Sequence, residues 1–361
     1  MRAAIMRERK IVPGRIEVPE PGPGEALVKT LACGICGSDL HALEHFDKFA
    51  EFSLQGDEGN LDPKRDMVMG HEFCCEVLDY GPGPAPAGRL APGTRVCAMP
   101  MLLRAGGGAA VGYSHDVPGG YAEQMLLSEA LLLPVPNGLS NDHAALTEPM
   151  AVGLHAVQMA RLTADDVALV IGCGPVGLAV IAALKLKGVA PIIATDFSPA
   201  RRALALTMGA DEVIDPKATS PYDSWRSAAR ASRQGQTAPV NPLTGERELP
   251  PGVYFECVGV PGVIDQMMVG AERHSRFVVV GVCMESDAIR PMLGITKELN
   301  LQFVLGYTPE EFAATLGNIA EGRIPVAPLI TGHVGIDGVA QAFRDLKNPE
   351  AHAKIIVEPW H

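Results

Sequence analysis

Four side chains in three short motifs have the chemistry to bind a single metal ion. Cys36 opens the stretch Cys-Gly-Ser-Asp-Leu-His. His71 and Glu72 are adjacent in Gly-His-Glu, and Glu148 lies in Thr-Glu-Pro. One thiolate, one imidazole and one carboxylate suit a catalytic zinc, which keeps its fourth position open for water or substrate. The residue types therefore predict a catalytic zinc site.

A glycine-rich motif at residues 170–177, Val-Ile-Gly-Cys-Gly-Pro-Val-Gly, follows an apolar strand-like run and opens a helix-length apolar segment. Gly172 permits the tight turn, Gly174 lets the backbone approach a pyrophosphate, and Gly177 lets the helix pack closely on the strand. Asp196 ends the next predicted strand, as the dinucleotide fingerprint requires. A glycine-rich turn without a ligand is the alternative, but the whole context favours a dinucleotide site.

The helix that this motif opens would begin at Pro175 and Val176, and its N-terminus would offer unpaired N–H groups to the phosphates. Asp196 can accept hydrogen bonds from both ribose hydroxyls, and its charge would repel a 2′-phosphate, so NAD is favoured over NADP. Arg201 and Arg202 lie close enough in the sequence to oppose that preference. A nucleotide site together with a zinc site indicates hydride transfer, because zinc itself has no redox capacity.

The composition is that of a well-packed α/β enzyme. The 361 residues are too many for one ordinary core, so two domains are expected. Hydrophobic residues make up 47%, and 30 basic against 42 acidic residues give a formal charge of -12, which argues against a nucleic-acid or anionic-membrane surface. No apolar stretch is long enough to span a bilayer, and the charged first residues do not suit a signal peptide. We expect a cytoplasmic protein whose eight cysteines are mostly reduced thiols.

The pattern of predicted elements changes near residue 150. The preceding residues contain many short β-like runs between glycines and prolines, which predict a mostly antiparallel unit. The following residues alternate strands with helices and predict a doubly wound parallel sheet. The final run, Lys-Ile-Ile-Val-Glu-Pro, predicts a strand that returns to the first unit. The predicted strands of the parallel sheet are 167–171, 192–195, 212–214, 253–257, 277–280 and 301–305.

Together, the motifs resemble those of the zinc-dependent medium-chain alcohol and polyol dehydrogenases over essentially the whole chain. The resemblance implies an α/β fold with a GroES-like, mostly antiparallel β catalytic domain, 1–150 and 308–361, and an inserted Rossmann domain, 151–307. It also implies homodimers or homotetramers formed through the nucleotide domain, with the strand at 301–305 as a candidate sheet-edge interface. The matching stretches are Cys33 to His41, Gly70 to Glu72, Gly119 to Ala122, Thr147 to Pro149 and the dinucleotide motif.

By matching position, the resemblance implies that Cys36 and His71 bind the zinc. Glu148 stands where many relatives supply the third ligand, so we expect it to bind the metal. Glu72 is then expected beside the metal or as the alternate ligand. Asp39 matches the residue that orients the zinc histidine, which is how carboxylates next to metal ligands usually act.

Ser38 and His41 match the family's proton relay. A zinc ion lowers the pKa of a substrate hydroxyl, and the proton would leave through Ser38, the nicotinamide ribose and His41. Lys354 matches a basic residue near the cofactor pyrophosphate. Two alternatives remain at this stage: His41 as an ordinary surface histidine, and the pair Cys33 and Cys36 as a redox dithiol or half of a zinc knuckle.

Two stretches depart from the family pattern. Residues 98–118 contain no cysteine where many relatives place the four ligands of a structural zinc, so we expect one catalytic zinc per chain. Within this region the glycine-rich segment 104–120 predicts a surface loop. Residues 42–66 make a long connection between the first two expected ligands. We hypothesise that this insertion borders the substrate cleft, the alternative being a surface insertion without a role.

The resemblance therefore implies an NAD-dependent, zinc-containing enzyme that oxidises a secondary alcohol, a polyol or an aromatic alcohol reversibly. A zinc-free NADPH-linked enoyl or quinone reductase is disfavoured, because it would not need the zinc residues and because Asp196 opposes a 2′-phosphate. A non-catalytic NAD-binding protein is the other alternative, and only an assay separates it from an enzyme.

Overall fold

The computed structural model describes residues 1–55, 61–104, 107–163, 166–232, 240, 245 and 249–361. These residues divide into two units, Met1–Pro149 with Thr308–His361, and Met150–Tyr307. The predicted fold class is confirmed, because the first unit has a mostly antiparallel sheet and the second a parallel one. Within the described ranges, none of the helices has both the length and the apolar character needed to cross a bilayer.

The chain up to residue 159 forms the strands and helices that carry the candidate metal ligands. The strands are β1 Arg2–Arg7, β2 Lys10–Arg15, β3 Glu25–Gly34, β4 Glu72–Tyr80, β5 Arg95–Cys97, β6 Met101–Arg104, β7 Gly107–Ala110, β8 Gln124–Ser128 and β9 Leu133–Pro134. The helices are α1 Gly37–Glu44, α2 Phe46–Gln55, α3 Asn141–Ala145 and α4 Thr147–Met159.

The remaining chain forms the parallel sheet with its helices and then returns to the first unit. The elements of the second unit are β10 Ala168–Ile171, α5 Pro175–Leu186, β11 Ile192–Thr195, α6 Pro199–Met208, β12 Glu212–Ile214, α7 Pro221–Ser232, β13 Val253–Glu256, α8 Val263–Gly270, β14 Arg276–Val279, α9 Pro291–Lys297 and β15 Asn300–Phe303. The elements after it are α10 Pro309–Ala320, β16 Ile330–Val334, α11 Val339–Asp345 and β17 Lys354–Val357.

Strand β3 organises the larger sheet of the first unit. The order of this sheet is β16-β17-β3-β4-β5-β9, and β8 also pairs with β3. The register sets Gly34 opposite Glu72 on β4 and opposite Ile356 on β17. The end of β3 therefore brings the segment before α1, the start of β4 and the strand that begins at Lys354 to one place.

The second unit is built on six parallel strands among the described residues, in the order β12-β11-β10-β13-β14-β15. Its central strands are almost fully buried, because helices cover both faces of a sheet of this kind. This burial explains why the strands are continuous apolar runs in the sequence. Each predicted strand is present, with ends that differ from the prediction by at most two residues.

The prediction of a surface loop over residues 104–120 is wrong for two parts of this segment. Residues 107–110 form β7, which pairs with β6, and Gly119 and Gly120 are buried. A Cβ atom would lie 2.4 Å from the Gly70 carbonyl oxygen at Gly119, and 2.6 Å from the Cys33 thiol at Gly120. These glycines therefore allow close packing, a role that composition alone does not distinguish from a loop.

The insertion at residues 42–66 contains regular structure that the sequence analysis does not predict. It includes the end of α1 and the whole of α2. Phe46 is buried and Phe49 is half-buried, and both pack on the core of the first unit. The tip of the insertion, residues 56–60, lies outside the described residues.

Candidate functional site

Three donor side chains meet where β3 ends. Cys36 is the N-cap of α1, and His71 and Glu72 stand at the start of β4. One donor atom from each of the three lies within 4.8 Å of the others. In the described part of the chain, Glu148 is not a member of this group. It lies in the first turn of α4 and acts electrostatically on Lys354.

The donor set fits a zinc ion. It offers a thiol, an imidazole and a carboxylate, with His71 7% exposed and Glu72 fully buried. The buried Nδ1 atom of His71 makes no hydrogen bond within the described residues. The Asp39 carboxylate oxygen Oδ1 lies 3.4 Å from it, which allows electrostatic attraction at a distance too long for a good hydrogen bond. A cation bound among these donors would stabilise buried groups that are otherwise incompletely satisfied.

Asp39 connects the donors to one another. Burial disfavours its charged form, but His71, the Tyr121 hydroxyl and the Cys36 N–H lower the pKa of this carboxyl. Burial likewise opposes protonation of His71, yet Asp39 raises the pKa of the imidazole well above its ordinary value. The Cys36 N–H donates to Asp39 Oδ2 over 3.0 Å, so the carboxylate also fixes the backbone that carries the thiol.

The nucleotide motif has the geometry that its glycines predict. Gly172 has a φ of 92°, and a Cβ atom at Gly177 would lie 1.9 Å from the Gly172 carbonyl oxygen. Helix α5 begins with Pro175 at its first turn, after the cap Gly174. Asp196 follows β11, and its carboxylate accepts hydrogen bonds from the Cys173 and Ser198 N–H groups, both over 2.8 Å.

Two family models match this chain. Residues 22–137 match the alcohol dehydrogenase GroES-like domain, and residues 175–321 match the zinc-binding dehydrogenase domain. The (R,R)-butanediol dehydrogenase of Bacillus subtilis is 31% identical over 353 residues, which cover 95% of this chain and 95% of that protein. The chain belongs to the zinc-dependent medium-chain dehydrogenases. It is therefore an oxidoreductase that uses zinc and a nicotinamide cofactor.

Further proteins similar to this dehydrogenase include a sorbitol dehydrogenase and a structure solved with NADP. The sorbitol dehydrogenase of Gallus gallus is 27% identical over 345 residues, covering 92% of this chain and 89% of that protein. The crystal structure of the 2R,3R-butanediol dehydrogenase from Bacillus subtilis matches with a TM-score of 0.78 at 30% identity, over 99% of both chains. A protein from Sinorhizobium meliloti, solved with NADP bound, matches with a TM-score of 0.78 at 26% identity, also over 99% of both chains.

The two predicted relay residues of the dehydrogenase both lie on α1. Ser38 is half-buried, and its Oγ atom lies 2.8 Å from the Tyr113 hydroxyl. His41 is half-buried one turn further along the helix. Burial, and next the nearby His45, lower the pKa of His41 against the opposing effect of Glu44. His41 is therefore neutral over a wider pH range than an ordinary surface histidine.

Lys354 contacts the candidate metal site directly. Its ammonium is buried, 2.7 Å from both Glu72 carboxylate oxygens and 3.0 Å from the Ile35 carbonyl oxygen. Burial opposes the charge, but Glu72 raises the pKa of Lys354 above its ordinary value. Lys354 is 2% exposed and its charge is balanced by Glu72, and its role near the cofactor pyrophosphate stays a prediction.

Two tyrosines of the site are not identified by the sequence analysis. Tyr121 donates to Asp39 Oδ2 over 2.7 Å, and Tyr113 lies 2.9 Å from Asp39 Oδ1. Tyr121 lies inside a matching family stretch, Gly119 to Ala122, and this motif could have identified it as a residue of the site. Tyr113 belongs to no motif, and only the fold brings it to α1.

Proposed function

We propose that this dehydrogenase oxidises a secondary alcohol, a polyol or an aromatic alcohol with NAD, reversibly, and uses one zinc ion per chain. The observation that carries the proposal is the convergence of Cys36, His71 and Glu72 in a chain that also holds the dinucleotide motif. The relatives that act on butanediol and on sorbitol support a substrate with more than one hydroxyl group.

Cys36 and His71 would hold the zinc, with a glutamate as the third ligand. The grouping of donor atoms favours Glu72, and Glu148 is the alternative. A bound zinc would act as a Lewis acid that makes a substrate hydroxyl easier to deprotonate. Asp39 would keep the His71 ring in its orientation, since its carboxylate faces Nδ1.

Ser38 and His41 would handle the proton. The Ser38 hydroxyl lies at the N-terminal turn of α1, next to Cys36, where it can accept a hydrogen bond from a substrate hydroxyl. His41, with its lowered pKa, is neutral at pH 7 and can accept a proton and release it to water. Hydride would pass to the cofactor carbon, which is the chemistry of the nicotinamide.

NAD is the proposed cofactor because Asp196 places a carboxylate where a 2′-phosphate would have to lie. Its side chain is 10% exposed and is held by two backbone N–H groups, so it cannot swing aside freely. Arg201 opposes this preference, because its guanidinium lies 3.9 Å from Asp196 Oδ2. Residues 172, 174, 175, 176 and 177 would bind the pyrophosphate through the N-terminus of α5.

We also propose a homodimer or homotetramer and a cytoplasmic location. Strand β15 is an edge of its sheet, and Phe303 and Leu305 beside that edge are 64% and 84% exposed. Exposed apolar side chains along a free strand edge favour pairing with another chain. All eight cysteines are free thiols, as expected in a reducing compartment.

The first experiment is NADH formation with a panel of primary, secondary, polyol and aromatic alcohols, together with Cys36→Ser. We expect turnover that a chelator abolishes in the wild type. Cys36→Ser should lose zinc and turnover while it still binds NADH, since Asp196 and α5 are unchanged. An active, zinc-free Cys36→Ser protein would contradict the mechanism. A zinc-loaded wild type that is silent with NAD and NADP would favour a reductase or a binding protein.

A further inference from the structure

We propose that Tyr113 is a positioning residue that holds the Ser38 hydroxyl as a hydrogen-bond acceptor, and that helix α2 keeps Tyr113 in place through Phe49. The Tyr113 hydroxyl lies 2.8 Å from Ser38 Oγ and 2.9 Å from Asp39 Oδ1. It is therefore the direct link between the proposed proton acceptor and the carboxylate behind His71. This inference rests on the proposed function and extends it to a residue outside every motif.

The two contacts of Tyr113 have a definite direction. A phenol has one hydrogen, so it can donate fully to only one of its two neighbours. Asp39 is a carboxylate and can only accept, and a hydrogen bond to a charged acceptor is the stronger one. Tyr113 therefore donates to Asp39, and Ser38 donates to the Tyr113 oxygen. Both lone pairs of Ser38 Oγ are left to accept a hydrogen bond from a substrate hydroxyl. When the substrate proton is taken, the hydrogen that Ser38 held toward Tyr113 is the one passed on through the proposed relay of the ribose and His41.

The Tyr113 ring is held between two other rings. Its centroid lies 5.0 Å from that of His71 and 5.0 Å from that of Phe49, with tilted planes in both cases. Tilted aromatic pairs at this separation are favourable beyond the area that they bury. Phe49 belongs to α2 in the insertion, so this added helix reaches His71 through a single intervening side chain.

The loop that carries Tyr113 is also fastened to the chain that leads to His71. His115 Nε2 accepts a hydrogen bond from the Asp62 N–H over 2.8 Å, and its Nδ1 atom lies 3.0 Å from the Asp66 carbonyl oxygen. Arg65 pairs with Asp116 over 2.6 Å. These contacts hold the backbone just after Tyr113 against the segment 62–66, which supports the fixed position that a positioning residue requires.

A double-mutant cycle with Ser38→Ala tests the proposal. Tyr113→Phe removes only the hydroxyl, and we expect kcat to fall about tenfold while NADH affinity and zinc content stay at wild-type values. In the Ser38→Ala background the same change should lower kcat by less than about twofold, because the group on which Tyr113 acts is already absent. A merely structural role would give the same loss in both backgrounds.

Tyr121→Phe is the matched control. It removes a hydrogen bond to Asp39 over 2.7 Å, but to the other carboxylate oxygen, Oδ2. Tyr121→Phe should therefore lower kcat by the same factor in the wild type and in the Ser38→Ala background. The proposal would be overturned if Tyr113→Phe lowered kcat by the same factor in both backgrounds, or if the Tyr113→Phe enzyme were as active as the wild type.

Phe49→Ala tests the part played by α2 and serves if Tyr113→Phe does not fold. It leaves the hydroxyl in place but removes the ring that supports it. We expect Phe49→Ala to lower kcat, and to lower it much less in the Ser38→Ala background. An unchanged kcat, or the same fold loss in both backgrounds, would overturn the proposal. A wild type inactive with every alcohol would instead overturn the proposed function, and this inference with it.

Discussion

The carboxylate of Glu72 can interact with two different cations, the Lys354 ammonium and a bound metal ion. Both Glu72 oxygens lie 2.7 Å from the Lys354 ammonium, and the carboxylate also lies in the donor group with Cys36 and His71. Without a metal, the lysine balances a charge that would otherwise be buried alone. With a metal bound, the ammonium and the ion would share the carboxylate, which limits how far Glu72 can turn toward either.

Loss of the Lys354 charge should destabilise the metal-free protein strongly. We expect Lys354→Met to lower the free energy of unfolding by about 3–5 kcal/mol, because Glu72 is then buried without a cation. Adding Glu72→Gln should recover part of this loss. Urea unfolding of chelator-treated protein measures both effects.

Lys347→Met is the control for this prediction. Lys347 pairs with Glu44 at the surface, where the two side chains are 54% and 43% exposed. Exposed pairs contribute about 0–1 kcal/mol, so this change should have little effect. Equal losses for the two lysines would show that the buried pair has no special role.

Single residues of the candidate site differ in how far the sequence predicts them. Cys36, His71 and Glu72 stand in motifs, and the fold brings their donor atoms together. Their roles as ligands, like the roles of Ser38 and His41, stay predictions. The contact of Lys354 with Glu72 could not be derived, because pairing of β17 with β3 depends on long-range register and not on local pattern.

At the scale of elements, the unit β10–α5–β11 would carry the proposed preference for NAD. The turn after β10 needs glycine for its positive φ, and Asp196 at the end of β11 is fixed by backbone N–H groups. The buried strands and capped helices of this unit could be predicted from the sequence, because each follows a local pattern of apolar and capping residues. Helix α2 was not predicted, although Phe46, Phe49 and Ala50 recur at helical spacing, because residues 42–66 were interpreted only as a connecting insertion.

Removal of the Asp196 charge should shift the preference toward NADP. Asp196→Asn keeps the shape of the side chain and one acceptor, so the fold of the turn should be retained. We expect the ratio of kcat/KM for NADP to that for NAD to rise at least about tenfold, which corresponds to about 1.4 kcal/mol. Adding Arg201→Ala should reverse much of the gain, because the Arg201 guanidinium lies 3.9 Å from the side chain at position 196. An unchanged ratio would contradict the role proposed for Asp196.

At the scale of the whole molecule, strand β15 forms an edge of the parallel sheet within the described residues, and it is the proposed surface for pairing with another chain. Phe303 on this strand and Leu305 just after it are exposed. The sequence predicted the strand but not which of its residues are exposed, since exposure depends on its place at the edge.

A charge placed on this edge should separate the subunits. We expect Leu305→Asp to lower the molar mass measured by light scattering to that of one chain, with the far-UV circular dichroism unchanged. Leu206→Asp is the control, because Leu206 is 49% exposed on α6, away from the strand edge in the sheet order. Retention of the wild-type mass by Leu305→Asp would place the interface elsewhere.

The pairing of Glu72 with Lys354 also has a consequence for biosynthesis. The two residues are 282 positions apart, and the whole nucleotide-binding unit lies between them in the sequence. A ribosome therefore finishes that unit, which can fold as it emerges, before it adds the lysine. Nascent chains of 72 to 353 residues therefore carry the thiol, the imidazole and the carboxylate without the ammonium that balances Glu72 in the finished protein.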